Sequence, residues 1–199
     1  MNRLTYIIGM PASGKSTALR NALENNICEC SSKTMTQEDP VPHITYKCGL
    51  MTLGKSRDVY PGTDTLAMNI QPKVIRWLEE LADEDNQFLI GEGDRLGNNK
   101  FLSRAIDLGF HVDLVYLQIP SQIAWERSEK RGSNFNKTWF KGRITKCENI
   151  IMSWADSAIQ EKYPINIIQL DGTWNPKTLQ DKIKSTPNFQ EWHQSVKVQ

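Results

Sequence analysis

The sequence predicts an α/β fold in which a five-stranded parallel sheet is covered by helices on both faces. Three observations carry this. Short apolar, β-favouring runs alternate with segments of helical periodicity along the 199 residues. The stretch Gly9-Met10-Pro11-Ala12-Ser13-Gly14-Lys15-Ser16-Thr17 matches G-x-x-x-x-G-K-[ST] at every fixed position and sits between a predicted strand and a predicted helix. The residues with chemical potential then fall at the carboxyl ends of predicted strands, where parallel sheets gather ligands.

The first strand is Leu4-Thr5-Tyr6-Ile7-Ile8, ending at Gly9, and a helical pattern starts after Thr17 with Ala18 to Leu23. Asn25 to Pro42 is polar, lacks periodicity and reads mostly as loop. Ile44 to Cys48 and Leu50 to Leu53 read as strand material around Gly49, and Gly54 to Thr65 as a substrate-side loop. Val74, Trp77, Leu78 and Leu81 fall at i, i+3, i+4 and i+7, one apolar helix face. Its acidic end, Asp83 to Asp85, reads as a solvated tip.

Phe88 to Gly91 is a buried-strand run leading into Glu92-Gly93-Asp94-Arg95. Phe101, Ala105 and Leu108 share a helix face that stops at Gly109, the residue type favoured just past a helix end. Val112 to Ile119 is the next strand, and Ser121 is the expected N-cap of the helix after Pro120. Ile144, Cys147, Ile151, Trp154 and Ala158 line a longer helix. Ile165 to Leu170 is the last strand, leading to Asp171-Gly172-Thr173; a short helix follows Pro176, and the tail from Pro187 reads as peripheral.

The glycine loop explains its own residue types. Gly9 and Gly14 let backbone N–H groups converge on phosphate oxygens, and the helix N-terminus adds a dipole that favours anions. Met10, Pro11, Ala12, Ser13 and Thr17 complete the cradle. Lys15 reaches the outer phosphates and the Ser16 hydroxyl is placed for Mg²⁺. The loop implies a bound nucleoside triphosphate and leaves the phosphoryl acceptor open.

Phosphoryl transfer needs positive charge around the migrating group. Arg127 and Arg131 lie at i, i+4 on one helix, and Lys137, Lys141 and Arg143 follow a polar segment containing Gly132, Ser133 and Asn134. This reads as a lid spanning about 127–143. The competing reading is a solvated face whose salt-bridge partners are Glu126, Glu129 and Glu148. Phe135, Trp139 and Phe140 either stack nucleic-acid bases or dock the lid on the core.

Among the acids, Glu92 or Asp94 is placed to hold Mg²⁺ through water or to orient the acceptor. Asp64, in Gly62-Thr63-Asp64-Thr65, is a general base toward a hydroxyl or a helix N-cap. Arg57 and Arg95 are candidate acceptor-phosphate ligands, with Lys141 and Arg143 beside them.

Composition sets outer limits. Lys+Arg 24 against Asp+Glu 23 gives a formal net charge of +1, so no global basic bias marks a nucleic-acid binder. No apolar run reaches the roughly 18 residues of a membrane helix. The first strand starts at once, so no signal peptide is expected and the chain reads as a single cytoplasmic domain. Cys28, Cys30, His43 and Cys48 do not have zinc-site spacing, and together with Cys147 the cysteines read as free thiols.

With these residues in hand, the chain resembles the P-loop kinases of the nucleoside monophosphate kinase type. The motifs are Gly9 to Thr17, the strand ending Glu92-Gly93-Asp94-Arg95, and Arg127 with Arg131. The resemblance implies the three-layer P-loop NTPase fold, an acceptor-side insertion at about 43–70, an arginine-bearing lid, and transfer of the γ-phosphoryl of ATP with Mg²⁺. Adenylate kinases carry Asp-Gly-Phe-Pro-Arg where this chain has Glu92-Gly93-Asp94-Arg95.

Gly62 to Met68, Glu92 to Leu96 and Phe140 to Lys146 are similar to segments of the bacteriophage 5-hydroxymethyluracil DNA kinases. That narrower resemblance implies DNA carrying a modified pyrimidine as the partner. A free nucleoside or nucleotide kinase is the alternative within the same chemistry. A switch or ATPase without an acceptor would leave the acceptor loop and lid without a role. The guanine-specifying Asn-Lys-x-Asp is absent, because Asn136-Lys137 is followed by Thr138-Trp139.

Overall fold

The computed structural model describes residues 1–24, 33–55, 62–171 and 176–197. Cys28, Cys30, Arg57, Asp58, Gly172 and Thr173 lie outside the described residues. In chain order the strands are β1 (Arg3–Gly9), β2 (Lys33–Gln37), β3 (His43–Tyr46), β4 (Leu50–Leu53), β5 (Phe88–Glu92), β6 (His111–Gln118) and β7 (Ile165–Asp171). The helices are α1 (Lys15–Glu24), α2 (Gln71–Ala82), α3 (Asn99–Asp107), α4 (Ser121–Lys130), α5 (Lys137–Trp154), α6 (Ser157–Lys162), α7 (Pro176–Ser185) and α8 (Pro187–Lys197). Thr63–Thr65 form one 3₁₀ turn.

The sheet order is β2-β3-β4-β5-β1-β6-β7. β4, β5, β1, β6 and β7 are parallel, as expected. β2 and β3 extend the β4 edge in antiparallel pairing. One strand is added to the expected set: within the segment read mostly as loop, Lys33–Gln37 pairs with β3. Its sequence Lys-Thr-Met-Thr-Gln has no apolar alternation to reveal it, and backbone pairing at a sheet edge does not require one. The strand material expected around Gly49 is present as β3 and β4 of the same sheet.

Period-two alternation in β1 builds three layers. Leu4, Tyr6 and Ile8 pack with Trp77 and Leu78 of α2, Phe101 and Leu102 of α3, and Ile150 and Trp154 of α5. Ile7 points the other way, into a cluster with Leu19 of α1, Leu179 and Ile183 of α7, and Phe189 and Trp192 of α8. The tail from Pro187 is therefore core rather than periphery: Trp192 is fully buried, 5.0 Å from the Phe88 ring. Short apolar content at helical spacing near a terminus conceals such a role until the opposite face of the sheet is visible.

Other boundaries moved by a few residues. Ser121 is the first residue of α4 rather than its cap; Pro120 occupies that place without a side-chain hydrogen bond. The long helix ends at Trp154, and Ala158 belongs to α6, which Asp156 caps by accepting from Ala158 N at 2.8 Å. Gly109 takes φ 84° just past α3, the left-handed conformation its position requires. His43 stacks 4.5 Å from Trp77 and its Nδ1 lies 2.7 Å from Val41 O, a packing role. No metal-binding cluster of His, Cys, Asp and Glu occurs among the described residues, and neither Cys48 nor Cys147 is in a disulfide. No described helix is long and apolar enough to cross a membrane.

Candidate active site

Parallel pairing aligns Ile7 of β1 with Glu92 of β5, and Gly9 with Leu117 of β6. The glycine loop and Glu92 therefore emerge side by side from the carboxyl edge of the sheet. A Cβ on Gly9 would lie 2.7 Å from Leu117 O and 2.7 Å from Ser13 Oγ, so only glycine fits there. Ala12 (φ 62°) and Gly14 (φ 95°) take left-handed conformations that turn the loop into α1. The first N–H groups of α1 have no intrahelical acceptor, and the loop presents them as anion donors. Lys15 Nζ donates to Gly9 O at 2.8 Å and Met10 O at 3.1 Å, folding the ammonium over the loop.

Ser16 Oγ donates to Glu92 Oε1 at 2.8 Å. Glu92 is 1% exposed, and burial pushes its carboxyl up to about 7, against the pull of Lys15 and the Ser16 hydrogen bond, with nearby Asp64 adding to the rise. Its Oε2 is buried without a hydrogen-bond partner among the described residues. A hydroxyl beside a carboxylate with one unsatisfied oxygen is a hard-oxygen donor set, which fits Mg²⁺. Ser16 and Glu92 are the residues that would hold it, alongside triphosphate oxygens.

The 3₁₀ turn is locked onto this strand end. Thr63 Oγ1 donates to Glu92 O at 2.7 Å and lies 3.1 Å from the Tyr6 hydroxyl, which donates to Gly93 O at 3.1 Å. Gly62 (φ 68°) brings its backbone against Glu92; a Cβ there would fall 2.4 Å from Oε1. Asp64 is no helix cap: its Oδ1 accepts from Asp94 N at 3.1 Å, while Gly62 holds the cap position. Asp64 Oδ2 makes no hydrogen bond among the described residues.

Asp94 is engaged by α5. Arg143 Nη1 donates to Asp94 Oδ2, and Lys146 Nζ donates to Oδ1 at 2.7 Å and to Asp94 O at 2.8 Å. Asp94 is thus charge-matched, with both carboxylate oxygens engaged by cations of α5. Arg143 also lies 5.1 Å from the Trp139 ring centroid, and Trp139 stacks on Phe135 at 4.2 Å. Phe140 instead packs edge-on to Trp125 at 5.2 Å in a small cluster with Met10, Ile119 and Ala124. Phe140 thus docks this segment on the core, while Phe135 and Trp139 stack on each other.

The helix-loop-helix around 131–136 is present as expected. Arg127 and Arg131 are exposed, and neither pairs with Glu126, Glu129 or Glu148; Arg131 Nε donates to Arg127 O at 3.4 Å. Lys141 is exposed, and the Arg95 Nε is buried without a partner among the described residues. Sequence reasoning missed Tyr6, Thr63 and Lys146 as supports of the site. Lys146 was findable: it follows Trp139 and Arg143 at i, i+4, i+7 on α5.

The chain belongs to the P-loop Nucleotide Kinase3 family, whose profile matches residues 1–183. No curated protein matches it in sequence. Among solved structures it is similar to an unliganded sugar kinase from Janibacter sp., with 12% identity, 98% of each chain covered and a TM-score of 0.50. It is also similar to shikimate kinase from Aquifex aeolicus (15% identity, 90% of this chain and 92% of that one, TM-score 0.43). A third is deoxyadenosine kinase from M. mycoides (13% identity, 90% and 95%, TM-score 0.45). The likeness to the sugar kinase shows a shared fold and no particular acceptor.

Proposed function

We propose that the protein transfers the γ-phosphoryl of ATP to a hydroxyl of an acceptor lying over the carboxyl end of β5. The observation that carries this is the convergence of Lys15, Ser16, Glu92 and Asp64 at one strand end, from three separate segments of chain. The acceptor oxygen forms a bond to the γ-phosphorus while the bond to the β–γ bridging oxygen breaks, and ADP leaves. Lys15 neutralises charge on the phosphates. Mg²⁺, when bound beside Ser16 and Glu92, supplies further charge neutralisation. Asp64 takes the acceptor proton, because Asp94 is occupied by two cations and Glu92 faces Ser16. Arg127 and Arg131, with no acidic partners to leave, close on the phosphates from the lid.

The finer reading of the acceptor is the hydroxymethyl group of 5-hydroxymethyluracil in DNA. It rests on the resemblance of three segments and on the cations and aromatics of the lid. A free nucleoside or nucleotide is the competing acceptor, favoured by the formal net charge of only +1. The test is γ-labelled ATP with Mg²⁺ beside hydroxymethyluracil-containing DNA, ordinary DNA, and panels of free nucleosides, nucleotides and sugars. Label on the modified DNA alone supports the finer reading, and label on a free small molecule replaces it. Hydrolysis of ATP with no labelled acceptor refutes the kinase reading.

A further inference from the structure

Gly142 sits in the interior of the 18-residue helix α5, where glycine weakens a helix relative to alanine. Packing does not explain it, since an added Cβ would meet nothing within 4 Å. Its backbone instead borders a groove of about 530 Å³, within the size range of small-molecule sites. Thr145, Lys146 and Asn149 join Gly142 at i, i+3, i+4 and i+7, so one stripe of α5 forms a wall. Asn98 and Asn99, at the start of α3, form the facing wall, and buried Ile150 contributes to an apolar floor.

The groove's electrostatics are specific. Among the described residues that line it, Lys146 is the one cation, its charge already matched by Asp94, and there is no carboxylate. Asn98 and Asn99 are largely engaged, with Gln71 and Phe101 N, and with Ser153 and Trp154. Thr145 and Asn149 keep free side chains among the described residues. A hydroxyl and a carboxamide one helical turn apart present paired donors and acceptors over an apolar floor. That combination suits a flat, uncharged ring with a hydrogen-bonding edge and gives an acid or a phosphate no unmatched cation. Lys146, a wall residue of the groove, also donates to Asp94 O, and Asp94 N donates to Asp64 Oδ1, so a chain of hydrogen bonds links the groove to the proposed base.

We propose that this groove holds the acceptor's uncharged heterocyclic ring, with its hydroxyl directed toward Asp64; this rests on the kinase reading above. Gly142 is absent a side chain because the ring lies against its backbone. The test is calorimetric titration of the full chain with ADP and Mg²⁺, using thymidine, adenosine, a short oligothymidine and gluconate as probes. A nucleoside or the oligomer binds the wild type, gluconate does not, and Gly142→Leu weakens binding at least tenfold. The variant's unfolding temperature, expected to equal or exceed that of the wild type, shows that it folds, and ATP affinity is its internal control. Gly142→Ala, which shortens the intrusion, gives an intermediate loss. An unchanged Kd in Gly142→Leu, binding of gluconate alone, or no binding of any probe overturns the proposal. Nucleoside binding that Gly142→Leu abolishes, without phosphate transfer by the wild type, upholds the groove and refutes the kinase reading alone.

Discussion

Ser16 Oγ donates to Glu92 Oε1 at 2.8 Å, joining two residues 76 positions apart in the chain. The contact exists because β1 and β5 are parallel neighbours in register, so the residues following one strand meet the last residue of the other. It also places a buried carboxyl where burial alone would keep it protonated.

Glu92 makes stability depend on pH. Its folded value of about 7 lies above the ordinary 4.5, so the folded state binds the proton more tightly. Stability is highest below about 4.5 and falls as pH rises through the window to about 7. The fall amounts to roughly 3 kcal/mol in metal-free protein. Denaturant unfolding between these limits should show this slope, and Glu92→Gln should flatten it. ATP with Mg²⁺ should raise the unfolding temperature more at pH 8 than at pH 6, because the cation replaces the proton.

Among the described residues, Lys15 Nζ hydrogen-bonds only to carbonyls of its own loop. Lys15→Ala should leave the unfolding temperature close to the wild-type value while reducing phosphoryl transfer by at least about 10²-fold. Transfer that persists at the wild-type rate would remove the loop from the chemistry.

Gly62 combines a left-handed backbone with contact against Glu92. Gly62→Ala should cost about 1–3 kcal/mol in strain and displace the carboxylate. Measured together, stability and Mg²⁺-dependent ATP affinity should both fall; a loss in neither would contradict the packing.

Asp94 and Arg143 are part-exposed, which screens their attraction. A double-mutant cycle on Asp94→Ala and Arg143→Ala should give a coupling of about 1 kcal/mol or less in stability. Asp94→Asn should lower turnover less than Asp64→Asn, because Asp94 holds α5 through Arg143 and Lys146 whereas Asp64 is the proposed proton acceptor.

Trp192 closes the face of the sheet opposite α2, α3 and α5. Trp192→Ala should destabilise by about 3–5 kcal/mol in denaturant unfolding. A change under about 1 kcal/mol would mean that α8 is dispensable.

The sequence determined the strand-loop-helix around Gly9 to Thr17, the five parallel strands and the helices between them. These follow from local chemistry: glycine at forced turns, β-branched and apolar runs, and 3.6-residue periodicity. It also put Glu92 at a strand end and singled out Asp64 and Arg143 as candidate site residues. Their partners were decided only by the tertiary structure. Asp94 was indistinguishable from Glu92 in sequence, yet register and the approach of α5 give it Arg143 and Lys146 and leave Glu92 buried beside Ser16. The edge strand β2, the buried α8 and the groove over Gly142 were hidden for the same reason. Each depends on what a segment faces across space, and local periodicity carries no record of that.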